Sequence, residues 1–462
     1  MSVRSTGKFW SRGLGFFFCL TFLGWIFPLQ ASPVQIFGYW PKDIAMGGAV
    51  VASEPGLGAA YHNPAAGAFS HQQIGVSFSS FTPQLFIERG LPFCGAGPEL
   101  CSSLYGDSYS DVGAELPASS RGVSLGWVKP IGGAFKNRLA VSAALHIPTG
   151  DFLSAEGLDT RMPHFLLYQD LATRALAAFS AAVRPLDWLS VGAGVQVLTD
   201  IGADARLYQD PANNAFTQTD IMVEIEPKLG LLAGAMVRPV PGLTLGFGYR
   251  EEMSLDFNMP ADIQAGKLFA MDLFVDGSVL FSPHQFDFGA AYLWDELGLE
   301  IVFQGNYALW SRMRNPTPRM DVNIGGEVLD QVGLGEVFDL RELEERSRLG
   351  LANTWTLHTG ADWKAMEWLK VRGGFQYRPS PVPDQKGSSN LLDNQVFGSS
   401  AGLAWLIDNE GPGGLASIEV ELSGLFMWLP RRTVTKVPID PVGSLSYGGY
   451  IAGGALSISH KY

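Results

Sequence analysis

From residue 72 to the end of the chain, apolar residues alternate with polar or small residues in segments of about ten residues. In one segment Leu299, Ile301 and Phe303 are apolar, and Glu300 and Gln304 are polar. Successive side chains of a β-strand point to opposite faces, so each segment predicts a strand with one apolar face and one polar face. About fourteen such segments are present, with centres near residues 76, 125, 142, 178, 193, 229, 248, 288, 303, 358, 373, 401, 421 and 454.

The connections between these predicted strands alternate in length. Short connections fall at 130–137, 185–187, 238–242, 294–297, 364–367 and 408–414. Long connections fall at about 83–120, 149–170, 205–220, 257–280, 312–351, 379–394 and 429–446. An even number of strands with short turns on one side and long loops on the other is typical of a bacterial outer-membrane barrel. The predicted fold class is therefore all-β, a transmembrane antiparallel β-barrel of about 14 strands over residues 71–462.

A secreted soluble β-protein with one solvated face would show the same alternation. Two features favour the membrane barrel. Tryptophans gather near the predicted short turns, where an interfacial aromatic belt is expected, namely Trp127, Trp188, Trp294, Trp363, Trp368 and Trp405. The chain also ends on an aromatic strand, in which Leu456, Ile458 and Tyr462 alternate with polar residues. Such a strand resembles the signal by which the barrel-assembly machinery recognises bacterial barrels.

Composition and the N-terminus indicate an exported protein rather than a cytosolic enzyme. Charged residues make up 17% of the 462 residues, against about 25% in an average soluble protein. A basic stretch with Arg4, Lys8 and Arg12 precedes an apolar run over 14–29, which predicts a secretory signal peptide over residues 1–31. Removing it changes the net charge from −13 to −16, and so acidic a chain is a poor candidate for binding nucleic acid.

Candidate catalytic and metal-binding residues are sparse. Gly122-Val-Ser124-Leu-Gly126 has the spacing of a nucleophile elbow, but that motif needs a strand-to-helix turn and Ser124 lies within a predicted strand. Neither the histidines nor the cysteines have the spacing of a metal site. We therefore expect no enzymatic activity, no bound metal and no cofactor. Cys94 and Cys101 are candidates for a local disulfide after export, and two free thiols are the alternative.

Residues 32–70 lack the alternation and are rich in glycine and alanine. Because a fourteen-stranded barrel is too wide for its own side chains to fill, we expect this segment to plug the lumen. It contains Asn63-Pro64-Ala65, and a later strand ends in Ser380-Pro381-Val382-Pro383. Together with the strand count, these two motifs resemble the FadL/TodX family, outer-membrane transporters of long-chain fatty acids and aromatic hydrocarbons with an N-terminal hatch that contains Asn-Pro-Ala.

The resemblance implies uptake of a hydrophobic small molecule through loop capture, binding in the lumen and hatch-gated lateral release. Candidate capture residues are Leu85, Phe86, Phe93, Phe165 and Leu166, although these side chains could equally pack together to order the loops. Candidate gating residues in the third strand, where the family has a kink, are His146, Pro148 and Gly150. Each of the latter two could instead simply end the strand.

Charged residues of both signs lie on the predicted lumenal faces, and we expect them to pair across the lumen and hold the hatch. They are Arg138, Glu224, Glu226, Asp287, Glu300, Arg372 and Glu421. Pro227, within a predicted strand, indicates a bulge or a kink. A general diffusion porin and a structural or secretion-scaffold barrel remain alternative functions. Expected partners are the hydrophobic ligand, outer-membrane lipid and lipopolysaccharide.

Overall fold

A computed structural model of the protein describes residues 34–53, 56–89, 116–133, 138–149, 163–168, 176–210, 215–265, 269–313, 319–325, 349–386, 389–409, 416–436 and 444–462. Its helices are short and lie mainly ahead of the first strand: α1 (Val34–Phe37), α2 (Pro41–Ala45), α3 (Ala59–His62) and a 3-10 helix, Pro64–Phe69. Two further 3-10 turns span Asp295–Leu297 and Trp310–Arg312. Within the described part of the chain, none of the helices has the length and apolarity needed to cross a bilayer.

Fourteen strands close into one antiparallel barrel. They are β1 (Gln73–Arg89), β2 (Ser120–Ile131), β3 (Leu139–Pro148), β4 (Leu176–Leu186), β5 (Leu189–Asp210), β6 (Ala215–Val240), β7 (Leu243–Arg250), β8 (Gln285–Trp294), β9 (Leu299–Ala308), β10 (Thr354–Met366), β11 (Leu369–Arg378), β12 (Val396–Asn409), β13 (Ala416–Val434) and β14 (Leu445–Lys461).

Each barrel strand pairs with its neighbours in sequence, and β14 pairs with β1 from Gln73 opposite Lys461 to Arg89 opposite Leu445. Closure leaves the barrel without an open edge. Every one of the fourteen predicted strand centres falls inside an observed strand, so the predicted barrel is confirmed. We call the end that holds Gln73, Lys461 and the short turns the turn end, and the opposite end the loop end.

The outer face of the barrel is apolar, as the alternation predicts. On β1, Ile74, Val76 and Phe78 are 48%, 39% and 48% exposed, whereas the intervening Ser77 is buried. Exposed aromatic side chains form a belt near each end: Trp188, Trp294, Trp363 and Trp368 at the turn end, and Trp355, Trp428 and Tyr450 at the loop end. Such belts mark the two interfaces of a membrane-spanning barrel.

Several strands run further beyond the loop end than the sequence predicts. The prediction of loops starting near residue 83 and covering 205–220 and 257–280 is wrong, because β1, β5 and β6 continue and the last region forms a hairpin of Met253–Ala265 and Phe269–Ser282. Arg319–Gly325 adds a strand to that hairpin. Pro227 lies opposite Thr199 in a continuous register, so the bulge expected there is absent.

The N-terminal segment, which we define as residues 34–53 and 56–70, lies inside the barrel. Inner-face glycines let its backbone touch the wall: a Cβ on Gly192 would lie 2.6 Å from the carbonyl carbon of Pro64, and one on Gly360 would lie 2.7 Å from the Met46 carbonyl oxygen. Most of its side chains are buried. Above it, towards the loop end, buried apolar side chains form a second layer that includes Phe165, Trp310 and Met427.

Candidate functional site

A cavity of about 120 Å³ lies between the N-terminal segment and the apolar layer above it. We call it the loop-side cavity. Its floor belongs to the N-terminal segment, through Phe37, Gly47, Gly48, Tyr61 and His62. Its walls carry polar side chains from β7 to β11, and its upper part is apolar, with Ala308, Leu167, Trp310, Leu425 and Met427. An apolar chamber with a few polar groups on one side is the usual form of a small-molecule site.

The polar wall of this cavity is centred on a buried ion pair between Arg250 and Asp287. An Arg250 guanidinium nitrogen lies 3.0 Å from Asp287 Oδ2. The other carboxylate oxygen of Asp287 accepts hydrogen bonds from Gln304 Nε2 at 3.1 Å and Asn306 Nδ2 at 2.8 Å. Arg250 Nε also donates to Gln285 Oε1 at 3.1 Å. The pair is therefore enclosed in a hydrogen-bond network that fixes both charges.

The apolar roof of the cavity is a turn over Phe165–Tyr168, packed inside the barrel. Residues His164–Phe165 pair in parallel with Leu391–Leu392, which places Phe165 at 0% and Leu166 at 6% exposure. Arg378 holds the turn, since it donates to the Tyr168 hydroxyl at 2.7 Å and forms two hydrogen bonds with Asp393, at 3.0 and 2.9 Å. Burial raises the pKa of Tyr168, and the nearby Arg378 opposes that shift.

The Ser380-Pro381-Val382-Pro383 motif supports this roof. Ser380 Oγ accepts the Val382 N–H at 3.2 Å and donates to the Asp393 carbonyl at 3.2 Å. Arg432 donates to the carbonyls of Val382 and Asp393 at 2.9 and 2.8 Å. Val382 is 2% exposed and belongs to the apolar layer. The motif thus folds the loop between β11 and β12 over the lumen.

The Asn63-Pro64-Ala65 motif attaches the N-terminal segment to the barrel wall. Asn63 Oδ1 accepts the Ala65 N–H at 3.1 Å, and its Nδ2 donates to the carbonyls of Val51 and Ala235 at 2.8 and 3.3 Å. Ser190 Oγ donates to the Ala65 carbonyl. Asparagine both begins the 3-10 helix and bonds to β6, which explains why this residue type stands there.

A second cavity, of about 60 Å³, lies on the other side of the N-terminal segment, towards the turn end. Arg372 occupies its wall and bonds to Asp362 at 3.0 Å, to Glu419 at 3.4 Å and to Glu421. Trp40 Nε1 donates to Glu421 Oε2 at 2.5 Å. His62 lines both cavities and lies 2.9 Å from Asp43 Oδ2. The N-terminal segment therefore separates two chambers.

Two of the charges predicted to pair within the lumen, Arg372 and Glu421, bond to each other there, and Asp287 bonds to Arg250. Arg138 does not lie in the lumen. It bonds to Asp187 at 2.8 Å at the turn end, where these side chains are 42% and 84% exposed. The prediction for Arg138 is wrong because the residue precedes β3 by one position and lies in a turn.

The hydroxyl group of Tyr39 lies in the seam between β2 and β3. It donates to the Leu125 carbonyl and accepts the Leu145 N–H at 3.0 Å. Leu125 and Leu145 are opposite one another in the strand register, so the tyrosine contacts the backbones of both strands at this pair. Tyr39 is 2% exposed, and burial raises its pKa. Its position in an aromatic stretch was visible in the sequence, but nothing local indicated this contact.

The residues proposed for gating lie next to this seam. His146 follows Leu145, is 2% exposed and has Nδ1 2.8 Å from Ser124 Oγ. Pro148 lies opposite Gly122, and the β2–β3 register is continuous through it. Gly150 lies outside the described residues. Ser124 and His146 line neither cavity and lie on strands, not at an elbow. Among the described residues, no cluster of His, Cys, Asp and Glu suited to a metal ion is found.

The residues proposed for capture have different environments. Leu85 and Phe86 belong to β1, where Leu85 is 8% exposed and Phe86 is half-buried beneath Arg431. Phe165 and Leu166 are buried in the roof, which agrees with the alternative expectation that these side chains pack together to order the loops. Phe93, Cys94 and Cys101 lie outside the described residues. Arg250, which lines the loop-side cavity, was not predicted from the sequence as a site residue.

Solved structures share this fold over nearly the whole chain. A FadL homologue of Pseudomonas aeruginosa is 15% identical, covers 94% of this chain and 98% of its own, and superposes with a TM-score of 0.52. The P. putida toluene transporter TodX is 13% identical, with coverages of 92% and 99% and a TM-score of 0.52. No protein-family model and no curated protein matches the sequence. The chain therefore has the fold of the FadL/TodX-type barrels.

Proposed function

We propose that the protein is an outer-membrane channel for the uptake of hydrophobic small molecules, such as long-chain fatty acids or aromatic hydrocarbons. The observation that carries the proposal is the loop-side cavity, which has the N-terminal segment below it and an apolar layer above it. An open water-filled lumen would suit a diffusion porin, and this lumen is occupied. TodX, which shares this fold, is a toluene transporter, and this supports the same function.

The proposed path begins at the loop end, outside the cell, at the apolar layer that includes Leu85 and Phe165. The solute enters the loop-side cavity and rests against Trp310, Leu425 and Met427. Release is lateral, into the bilayer, through the seam between β2 and β3 that Tyr39 occupies. His146 and Pro148 lie beside this seam, which supports a gating role for that part of β3. Residues 32–70 act as the hatch.

Export and insertion complete the proposal. Residues 1–31 are the signal peptide, and the aromatic C-terminal strand, which ends in Tyr462, is the site for the barrel-assembly machinery. Outer-membrane lipid contacts the apolar outer face between the two aromatic belts, and lipopolysaccharide contacts the loop end. We expect no enzymatic activity, since the serine and histidine that pair on β2 and β3 line neither cavity.

Uptake into proteoliposomes tests this function. The assay compares labelled toluene, a labelled alkane, a labelled fatty acid and a labelled sugar of similar size. Selective entry of an apolar class supports the proposal. Entry of sugar alone indicates a diffusion porin, and no entry of any solute indicates a scaffold. A chain lacking residues 33–70 is the matched comparison, and we expect it to conduct ions that the intact barrel excludes.

A further inference from the structure

Both arginines that line the loop-side cavity are already neutralised by carboxylates. Arg250 lies 3.0 Å from Asp287, and Arg378 lies 2.9 Å from Asp393. All four side chains are largely buried, with Asp287 at 2% and Asp393 at 0% exposure. Among the described lining residues, each arginine has its own counter-charge within ion-pair distance.

The two histidines of the lining are also engaged. His358 Nδ1 donates to the Gly47 carbonyl at 2.7 Å, and His62 Nε2 lies 2.9 Å from Asp43. Protonation of His62 would place its charge against a carboxylate. The cavity is thus polar on one side without offering an uncompensated positive charge.

This balance decides which solutes the cavity accepts. A solute carboxylate that enters must leave water, and burying an ionised group without a partner is strongly unfavourable. To gain a partner it would have to displace Asp287, whose Oδ1 also accepts hydrogen bonds from Gln304 and Asn306. Separating a buried ion pair costs more free energy than separating an exposed one, because the remaining charge is not solvated. An uncharged solute meets neither cost.

We propose that the loop-side cavity selects uncharged hydrophobic solutes over carboxylates, and that Asp287 is the specificity-determining residue. The inference rests on the proposed function and narrows its substrate class to neutral molecules. Asp287 excludes anions because it already forms an ion pair with Arg250. In Asp287→Asn the guanidinium keeps its place beside Gln285 but loses its counter-charge, so the variant accepts the carboxylate of a fatty acid.

The experiment measures displacement of the neutral fluorophore N-phenyl-1-naphthylamine from the full-length protein in lipid nanodiscs. The competitors are decanol, methyl decanoate and decanoate at about pH 8, where a carboxyl group is ionised. They share one chain length and differ in charge. In the natural protein we expect the two neutral competitors to be at least about tenfold stronger than decanoate. In Asp287→Asn we expect decanoate to displace the fluorophore at a concentration at least about tenfold lower than in the natural protein, whereas the concentration of decanol required should change little.

Two further variants test whether the effect of Asp287→Asn comes from the uncompensated charge of Arg250. Arg250→Gln combined with Asp287→Asn removes both charges and restores the preference for neutral competitors. Asp187→Asn removes an exposed carboxylate at the turn end and leaves the preference unchanged. If Asp287→Asn does not insert, Asp393→Asn frees Arg378 in the same cavity and carries the same prediction.

Equal displacement by decanol and decanoate from the natural protein overturns the inference and leaves the proposed function standing. No gain for decanoate in a folded Asp287→Asn protein also overturns it. Failure of every competitor to displace the fluorophore, by contrast, counts against the proposed function itself.

Discussion

The hydroxyl oxygen of Tyr39 accepts the backbone N–H of Leu145 at 3.0 Å, although 106 residues separate the two in sequence. Leu145 lies in β3, opposite Leu125 of β2. A side chain of the N-terminal segment therefore stands in the wall of the barrel. We therefore expect movement of that segment to affect this seam.

The first prediction concerns this coupling. Tyr39→Phe keeps the ring but removes the acceptor for Leu145, and an unsatisfied buried N–H costs about 1–3 kcal/mol. We expect the seam to loosen, with faster hydrogen exchange at the Leu145 amide and at its neighbours in β2. Hydrogen-exchange mass spectrometry of the purified protein checks this result. Unchanged exchange across β2 and β3, in a correctly folded variant, contradicts it.

A second prediction follows from the ionisation of the same side chain. Because burial raises the pKa of Tyr39, the inserted tyrosine stays protonated where a withdrawn one ionises, above about pH 10. Retention of the N-terminal segment is then independent of pH below that value and weakens as pH rises past it. Single-channel ion conductance should be flat from about pH 6 to about pH 9 and increase above about pH 10. In Tyr39→Phe that increase should disappear.

A third prediction concerns the contact between the N-terminal segment and the wall at Gly192. A Cβ there would lie 2.6 Å from the backbone of Pro64, closer than real Cβ contacts allow. Gly192→Ala should displace the segment and raise ion conductance. Gly373→Ala is the matched control, since its Cβ would meet its nearest neighbour at 3.9 Å. Equal conductance in the two variants would show that the segment does not depend on this contact.

A fourth prediction concerns the charges that hold the segment at the turn end. Glu421 accepts the Trp40 indole N–H and bonds to Arg372, and both side chains are buried. Breaking a buried ion pair by removing one partner costs about 3–5 kcal/mol, and Asp362 and Glu419 will offset part of this because they also bond to Arg372. Glu421→Gln should therefore lower the thermal unfolding temperature and raise conductance.

The control for that variant is Asp187→Asn, which removes the exposed partner of Arg138. Exposed pairs contribute about 0–1 kcal/mol, so its unfolding temperature should match the natural protein. A drop of equal size in both variants would mean that net charge, and not the contact of Glu421 with Trp40 and Arg372, determines stability.

The sequence predicted the barrel well because the signal for a strand is local. The alternation around Ile301 and Phe303 depends only on which residues face lipid, and all fourteen strand centres were found from it. Loop boundaries were less predictable. In β5 and β6 the strands continue into the region that we predicted to be a loop.

The cavity could not be predicted in the same way. Arg378 meets Tyr168 across 210 residues, and Tyr39 meets β3 only after the barrel has closed around the N-terminal segment. The Asn63-Pro64-Ala65 motif indicated a hatch through resemblance, but its contacts with Val51 and Ala235 depend on the fold. Asp287 was visible as a lumenal charge, and its partner Arg250 was not.

The central claim is that an apolar solute binds inside the barrel, and adjacent residues of β13 test it directly. Met427 is 2% exposed and lines the loop-side cavity, whereas Trp428 is 53% exposed on the outer face. A diazirine-bearing alkane, photolysed with the full-length protein in nanodiscs and mapped by mass spectrometry, should label Met427, and excess unlabelled alkane should suppress that label. Labelling confined to Trp428 and other outer-face residues, with none at Met427, would contradict the account.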